Sequence, residues 1–323
     1  MEYKKCNLYG LKSKKKLIEI LFKDTNKDFY KQAYFVDKIS PFLLEGTRIV
    51  EAPTKKLKKA QRRVLKFLQK IDVPENIFSG IKKRSFIDNA KLHIGNNFLF
   101  KLDISKFFPS THRDKVYKFY LNKLNMSPDV AQILTNLSTI NFDRLPESNN
   151  KSMVGEYINK KNIKCLNHLI TGSPLSPILS YFANIDMFNE LFKYCKDKDF
   201  TISVYVDDIV ISSKEKIIAN DRKFIYNTIK KYGYKISKEK SHWYNKEQWK
   251  KITGLIITEQ GLLKAPKNIE LQVKSLFKEF RAMNYEHIDN LLGYLVLLSM
   301  IDEHYYSMYK MVKSKRNKLK GQQ

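Results

Sequence analysis

Cysteine is scarce in this chain, and long hydrophobic runs are missing. The 323 residues contain three cysteines, Cys6, Cys165 and Cys195, and no Cys-x-x-Cys pair. This pattern excludes a disulfide framework and the usual zinc-ligand spacing, and it predicts reduced thiols in the cytoplasm. The most apolar stretch, residues 294–301, is far shorter than the about 20 residues that span a bilayer. The N-terminus has no long apolar core of the kind found in signal peptides, so we expect a cytoplasmic protein without a membrane partner.

Acidic side chains are few relative to basic ones. The chain has 60 Lys and Arg against 33 Asp and Glu, which gives a net charge of +27. This charge is well beyond what solubility requires. A hydrophobic share of 43%, with 20 Phe and 19 Tyr, is typical of a folded protein. Because basic and aromatic residues are interleaved along the chain, a nucleic acid is favoured as the polyanionic partner.

Residues 200–212 contain two adjacent carboxylates, Asp207 and Asp208, between two arms rich in β-branched and aromatic residues. Such arms predict two strands joined at the Asp-Asp pair. Asp is a poor strand former, and adjacent carboxylates repel each other. An exposed, Asp-rich hairpin turn would tolerate the pair, whereas a cation bound between the carboxylates would remove both objections.

Residues 97–110 predict a strand that ends in a third carboxylate, Asp103, within a strongly apolar stretch, and then turns at Pro109. An unpaired charge in such a segment is costly, so we expect a metal ion or a basic partner for Asp103. Residues 171–177 form a Gly/Pro turn between the two carboxylate elements. There Ser176 is expected to cap a helix that Pro177 opens.

The segment 55–68 has apolar residues and one Gln at helical spacing, and seven basic residues without an acid cover the rest of the predicted helix. A solvated surface is the simplest explanation. A run of like charge this dense destabilises a helix unless phosphates neutralise it, which favours contact with a nucleic-acid backbone. The residues expected to make this contact are Lys55, Lys58, Lys59, Arg62 and Arg63.

In chain order, the strand ending in Asp103, the Gly-Ser-Pro turn and the Tyr-Val-Asp-Asp hairpin resemble the palm of reverse transcriptases, over about residues 45–300. The resemblance implies an α+β, right-hand polymerase fold with fingers, a palm made of an antiparallel sheet packed on helices, and a small helical thumb. It also implies two Mg²⁺ ions held by Asp103, Asp207 and Asp208, with the Ile104 carbonyl as a further ligand.

The same resemblance implies a nucleotide site. Arg48 matches a fingers residue at the triphosphate, and Phe108 matches the side chain that blocks a ribose 2′-OH. Gly172 and Ser173 belong to the turn that lines the nascent base pair. Lys238 or Lys240 is expected near the phosphates, and the sequence does not choose between them.

Two short motifs narrow the resemblance to retron reverse transcriptases. Residues 89–93, from Asn89 to His93, are similar to the Asn-Ala-x-x-His motif of that family. Residues 252–254 are similar to its Val-Thr-Gly motif, with Ile in place of Val before Thr253 and Gly254. The resemblance implies that Asn89, His93, Thr253 and Gly254 contact RNA.

Membership in the retron family implies a bacterial enzyme that binds its own structured non-coding RNA (msr-msd) and copies part of it into cDNA with dNTPs. Such enzymes start from an internal guanosine 2′-OH, yield a branched RNA–DNA molecule and serve antiphage defence with an effector protein. The alternatives are a group II intron-like or diversity-generating reverse transcriptase, and a non-catalytic RNA-binding scaffold on a polymerase fold.

The predicted domain boundaries follow from these elements. We expect a helical lead-in over 1–45, fingers with palm elements over 46–98 and 111–170, and the palm over 99–110 and 171–248. Residues 249–323 are expected to form a palm-end hairpin and a helical thumb that binds RNA.

Overall fold

The structure is a computed structural model that describes residues 1–22, 35–45, 48–161 and 163–321. Its strands are β1 (Ile39–Leu44), β2 (Arg48–Pro53), β3 (Phe98–Asp103), β4 (Thr139–Asn141), β5 (Asn167–Leu169), β6 (Thr201–Tyr205), β7 (Asp208–Ser213), β8 (His242–Tyr244), β9 (Lys250–Ile252), β10 (Leu255–Ile257) and β11 (Leu263–Lys264). Its α-helices are α1 (Lys14–Phe22), α2 (Lys55–Leu68), α3 (Phe86–Lys91), α4 (Phe107–Ser110), α5 (Arg113–Lys118), α6 (Pro128–Ser138), α7 (Asn149–Lys160), α8 (Ser176–Ala183), α9 (Ile185–Asp197), α10 (Ala219–Lys231), α11 (Lys267–Arg281), α12 (Ile288–Ser299) and α13 (His304–Lys320).

The central element is a four-stranded antiparallel sheet in the order β6-β7-β3-β8. Side chains alternate between the faces of a strand, so Phe100 and Lys101 point to opposite sides of this sheet. The Phe100 ring packs edge-on against Tyr226 of α10, with 5.6 Å between ring centres. The helices therefore cover the Phe100 face, and the opposite face carries Lys101 and Asp103. This arrangement confirms the predicted palm of an antiparallel sheet packed on helices.

The fingers side is built around the antiparallel hairpin of β1 and β2. The Thr54 hydroxyl caps α2 by accepting a hydrogen bond from the Leu57 N–H at 3.4 Å. Leu57, Val64 and Leu68 of α2 are buried, as the helical spacing predicts. Their core is continuous with that of the palm and includes buried residues of α1. The sequence-based domain boundaries remain predictions.

The thumb side consists of the small sheet β9–β11 and the helices α11–α13. These helices bury their own core, in which Val273, Leu295 and Val312 are almost inaccessible to solvent. A core separate from that of the palm fits the predicted small helical thumb. The predicted α+β fold class is thus confirmed.

Several local predictions are wrong. The lead-in over 1–45 is not entirely helical, because β1 pairs with β2 there. Ser176 does not cap a helix: it is the first residue of α8, and its hydroxyl donates to the Ile170 carbonyl at 2.6 Å. Strand β8 was not predicted, since its three residues have no clear alternation and are held only by pairing with β3.

The three cysteines are free thiols, with Cys6 and Cys195 buried. Burial raises the pKa of Cys195 to about 12, so this thiol stays protonated. Among the described residues no helix combines the length and apolarity needed to cross a membrane.

Candidate active site

The three predicted carboxylates meet at one end of the palm sheet. Asp103 is the last residue of β3 and lies directly opposite Asp208, the first residue of β7. Asp207 belongs to the two-residue turn between β6 and β7, and its carbonyl accepts a hydrogen bond from the Ile104 N–H at 2.9 Å. The other residue of this turn, Val206, has a φ of 60°. A β-branched residue rarely adopts that conformation, and such strain typically costs about 1–3 kcal/mol, so the surrounding sheet must hold the turn in place.

The carboxylates raise one another's proton affinity. Burial raises the pKa of Asp207 to about 6, and the charges of Asp103 and Asp208 contribute to the increase. Burial also raises the pKa of Asp103, against the opposing effect of Lys240 and Lys101. Lys101 Nζ lies 3.0 Å from Asp208 Oδ2, and Lys240 Nζ lies 3.7 Å from Asp103 Oδ2. The site is thus a cluster of three carboxylates that two lysines partly neutralise.

The donor set of this cluster fits a divalent cation of the Mg²⁺ type, because carboxylate oxygens are its preferred protein ligands. Burial is the main cause of the raised pKa values of Asp103 and Asp207, and the neighbouring carboxylates add to it. In the described parts of the chain, however, no three His, Cys, Asp or Glu side chains are arranged closely enough to hold a metal ion. The carboxylates of Asp103 and Asp208 are turned toward Lys240 and Lys101 instead.

The predicted nucleotide residues lie on three different elements. Arg48 is exposed at the start of β2. Phe108 is half-exposed in α4 and stacks on the buried Phe107, with 6.2 Å between ring centres. Ser173 is buried, and its hydroxyl accepts a hydrogen bond from the Leu175 N–H at 3.1 Å, so it stabilises the turn itself.

Between the two candidate lysines, Lys240 contacts the carboxylates. Lys238 is exposed and makes no ion pair with a described residue. Of the two lysines, Lys240 is thus the one beside the carboxylates, and the contact of either with the triphosphate remains a prediction. Lys101 was not predicted, although it lies two positions before Asp103 on the same strand and so on the same face of the sheet.

The basic helix α2 presents most of its charge to solvent. Lys55, Lys59 and Arg62 are exposed, and Lys58 is half-buried. The Arg63 guanidinium donates to the Leu21 carbonyl and so ties α2 to α1. Four of the five predicted residues thus remain candidates for phosphate contact, whereas Arg63 has a structural partner.

The expectation that His93 contacts RNA is corrected by its burial. The side chain is inaccessible to solvent, and its two ring nitrogens lie 2.7 Å from the hydroxyls of Ser212 and Ser203. These serines belong to β7 and β6, the two strands joined by the Val206–Asp207 turn. Burial lowers the pKa of His93 to about 3, so the ring is neutral. His93 therefore holds the segment after α3 against the hairpin of β6 and β7.

Asn89 is also fully buried, and the second motif packs on it. The Asn89 Nδ2 lies 3.4 Å from Thr253 Oγ1, and that hydroxyl donates to the Phe86 carbonyl at 3.0 Å. Thr253 and Gly254 form the turn between β9 and β10, with φ values of 44° and 86°. The two motifs thus form one contact between α3 and the thumb-side hairpin. Of the four residues, Gly254 is exposed and Thr253 half-exposed, so only the turn is open to a ligand.

Comparison with known proteins also indicates a reverse transcriptase. The family described as reverse transcriptase (RNA-dependent DNA polymerase) matches residues 36–257. The retron Se72 reverse transcriptase of Salmonella heidelberg (strain 579083-10) is 25% identical over 71% of this chain and 56% of its own length. The retron Ec86 reverse transcriptase of Escherichia coli is 24% identical over 83% of this chain and 77% of its own length. The chain thus spans little more than half of the Se72 relative.

Among solved structures, an apo telomerase from Candida tropicalis truncated from its C-terminal domain is similar to this chain. The TM-score is 0.43 at 16% identity, over 72% of this chain and 55% of the telomerase chain. A Candida albicans telomerase in complex with a TWJ fragment of telomeric RNA gives a TM-score of 0.42 at 14% identity, over 83% and 54% of the two chains.

Proposed function

The chain belongs to the reverse transcriptase (RNA-dependent DNA polymerase) family as a retron-type member, and we propose that it synthesises DNA from dNTPs on an RNA template. The observation that carries this proposal is the meeting of Asp103, Asp207 and Asp208 at one end of the palm sheet. A scaffold that only binds RNA has no need for three carboxylates crowded in a chain of net charge +27.

In the proposed reaction a nucleic-acid hydroxyl oxygen attacks the α-phosphorus of a dNTP. A new P–O ester bond forms, the bond between the α-phosphorus and the bridging oxygen breaks, pyrophosphate leaves, and the hydroxyl proton passes to water. Two divalent cations bound by Asp103, Asp207, Asp208 and the Ile104 carbonyl would activate the hydroxyl and stabilise the leaving group. The chain itself contributes positioning and charge, as in other phosphoryl transfers.

Individual side chains have separate roles in this proposal. Lys240 and Arg48 neutralise the charge of the triphosphate and of the leaving pyrophosphate. The half-exposed ring of Phe108 fills the space that a ribose 2′-OH would need, which selects dNTPs over rNTPs. Gly172 keeps the turn beside the nucleotide close to β2, and the Val206–Asp207 turn fixes the direction of the Asp207 carboxylate.

The finer proposal concerns the RNA. We expect the chain to bind a cognate structured non-coding RNA and to start from an internal guanosine 2′-OH, which yields branched RNA–DNA for antiphage defence with an effector protein. Support comes from the retron relatives and from the two motifs that meet at Asn89 and Thr253. The exposed turn at Gly254 and the basic face of α2 are the surfaces proposed for this RNA.

The proposed activity is tested by measuring primer extension on a primed RNA template with dNTPs and Mg²⁺. Asp103→Asn, Asp207→Asn and Asp208→Asn should each abolish extension while RNA binding persists, because affinity rests on many distributed basic contacts. Asp197→Asn, at the exposed end of α9, is the matched control and should extend normally. Extension at the wild-type rate by the three site variants would rule out this active site.

Co-expression with the adjacent non-coding RNA tests the retron proposal. Sequencing and debranching of the copurified nucleic acid should reveal DNA joined to RNA through a 2′-branch. Only linear cDNA would favour a group II intron-like or diversity-generating enzyme. RNA binding without dNTP incorporation would favour a scaffold.

A further inference from the structure

A cleft of about 550 Å³ lies at the edge of the palm sheet, between β8 and α10. Its walls include Lys216, Arg222, Tyr226, His242, Trp243 and Asn245. Trp243 pairs with Phe100 in the sheet register, so its ring points to the helix-covered face, opposite the face of Lys101 and Asp103. The cleft is therefore separate from the carboxylate site and has no part in the chemistry proposed above.

Flat, fixed groups form one wall of this cleft. The indole of Trp243 packs on Phe98 with 6.2 Å between ring centres, and its N–H donates to Asn245 Oδ1 at 2.9 Å. The Arg222 guanidinium carbon lies 4.8 Å from the centre of the Trp243 ring, and Nη1 donates to the Ile217 carbonyl at 2.8 Å. An indole and a guanidinium held in this way present π surfaces on which a nucleobase can stack.

The charge of the cleft suits phosphate. Lys216 is exposed at its mouth, and no Asp or Glu is found among the described residues that line it. Strand β8 is also the outer strand of the sheet in the described part of the chain. Its unpaired backbone groups are thus open to a ligand that carries both donors and acceptors.

The cleft is connected to the active site by a short segment. Lys240 pairs with the Asp103 carboxylate, and Ser241, the next residue, accepts a hydrogen bond from the Asp103 N–H at 3.3 Å. Ser241 lines the cleft, followed by His242 and Trp243. The three-residue step from Lys240 to Trp243 therefore leads from the carboxylates to the cleft, and a nucleic-acid strand could follow it.

We propose that this cleft binds unpaired nucleotides of a single-stranded nucleic acid. A base stacks on Trp243 and Arg222, and Lys216 contacts the adjoining phosphate. This proposal rests on the proposed function in one respect: the bound strand is a single-stranded part of the template or of the product. Its role is to hold that strand away from the duplex at the carboxylates.

Tryptophan fluorescence tests the stacking directly, because Trp243 and Trp249 are the two tryptophans of the chain. In the Trp249→Phe protein, Trp243 is the source of the tryptophan fluorescence, and a single-stranded oligonucleotide is expected to quench this fluorescence. Strands of RNA and of DNA with one sequence identify the preferred source, and quenching by either supports the proposal. An abasic strand with the same phosphates should leave the signal unchanged, as should polyglutamate. Equal quenching by the abasic strand would overturn base stacking, and equal quenching by polyglutamate would point to an acidic protein partner instead.

Affinity measurements provide the second readout. Trp243→Ala should weaken binding of a primer–template with a single-stranded overhang about tenfold, whereas a blunt duplex should bind as before. Because Trp243 also packs on Phe98, the Lys216→Gln protein, altered at an exposed position, serves as the variant that preserves packing and should also lose overhang affinity. Extension of a short, blunt-ended primed template should persist in all of these proteins, which separates this proposal from the polymerase activity. Unchanged overhang affinity in both variants would overturn it.

Discussion

The Gly172 N–H lies 3.1 Å from the carbonyl oxygen of Glu51, and that oxygen occupies the space which a side chain at position 172 would need. The Glu51 carboxylate is buried and accepts a hydrogen bond from the Thr171 N–H at 2.8 Å, while Glu51 N–H donates to the Thr171 hydroxyl at 2.9 Å. The fingers strand β2 and the Gly-Ser-Pro turn are thus fixed to each other. Arg48, on β2, and the Gly-Ser-Pro turn are both proposed to contact the nucleotide, and they share this connection.

Gly172→Ala should therefore disrupt the contact between the Gly-Ser-Pro turn and β2. The added methyl group would meet a backbone carbonyl that cannot turn aside, so we expect a loss of about 1–3 kcal/mol in the free energy of unfolding and slower extension. Gly293→Ala is the matched control, because its new methyl group meets nothing within 4 Å on an exposed helical face. Urea unfolding and a primer-extension assay measure both effects. Equal stability of the two variants would contradict the close approach at Gly172.

The pair Lys238 and Lys240 offers a second test. If Lys240 contacts the triphosphate as proposed, Lys240→Gln should slow extension by about tenfold because a positive charge beside the reacting phosphates is lost, whereas Lys238→Gln should be nearly neutral. Single-turnover dNTP incorporation at saturating template measures the difference. A larger defect in the Lys238 variant would show that Lys238, and not Lys240, contacts the phosphates.

Sugar selection by Phe108 is the third prediction. If the ring blocks a ribose 2′-OH, Phe108→Ala should raise the use of rNTPs relative to dNTPs by about tenfold or more, because the exclusion is steric. Competition between the two nucleotides on one template measures the ratio. Phe108 also stacks on Phe107, so thermal unfolding of the variant must be compared with that of the wild type. An unchanged ratio in a folded, active variant would assign the selection to another residue.

Stability should depend on pH through His93. Its pKa is about 3 in the folded protein and about 6.5 when unfolded, so between these values the unfolded chain binds more protons. The contribution of His93 is therefore complete above about pH 6.5 and falls by about 1.4 kcal/mol for each pH unit between there and the folded-state pKa of about 3.

Urea unfolding of the wild type at pH 7.5 and pH 5.5 should show this loss, and His93→Gln should lose that part of the pH dependence. His304→Gln, at an exposed position, should retain it. If the wild type and His93→Gln respond alike to pH, the neutral, buried state of His93 is refuted.

Much of the site could be predicted from the sequence because the signals are local. Alternating β-branched residues around Asp207 and Asp208 predicted β6 and β7, and the apolar segment before Asp103 predicted β3. The helical spacing of Leu57, Val64 and Leu68 predicted α2. In each case the residues that decide the structure are neighbours in the chain.

Other features depend on contacts between distant residues. The partners of His93 lie 110 and 119 positions further along the chain, so its sequence neighbourhood suggested an exposed basic segment although the ring is buried between two strands. Strand β8 forms only because β3 offers hydrogen bonds to it, and its pairing places Trp243 beside Arg222.

The sequence by itself thus determined the carboxylates, the elements that carry them and the family resemblance, since residue type and spacing fix local structure and chemistry. Only the tertiary structure decided which lysine reaches Asp103, which motif residues are buried and how the turn at Gly172 is attached to Glu51. The physical reason is that burial and pairing are properties of strands and helices brought together in space, and one hydrogen-bond register selects a single set of partners among many that the spacing allows.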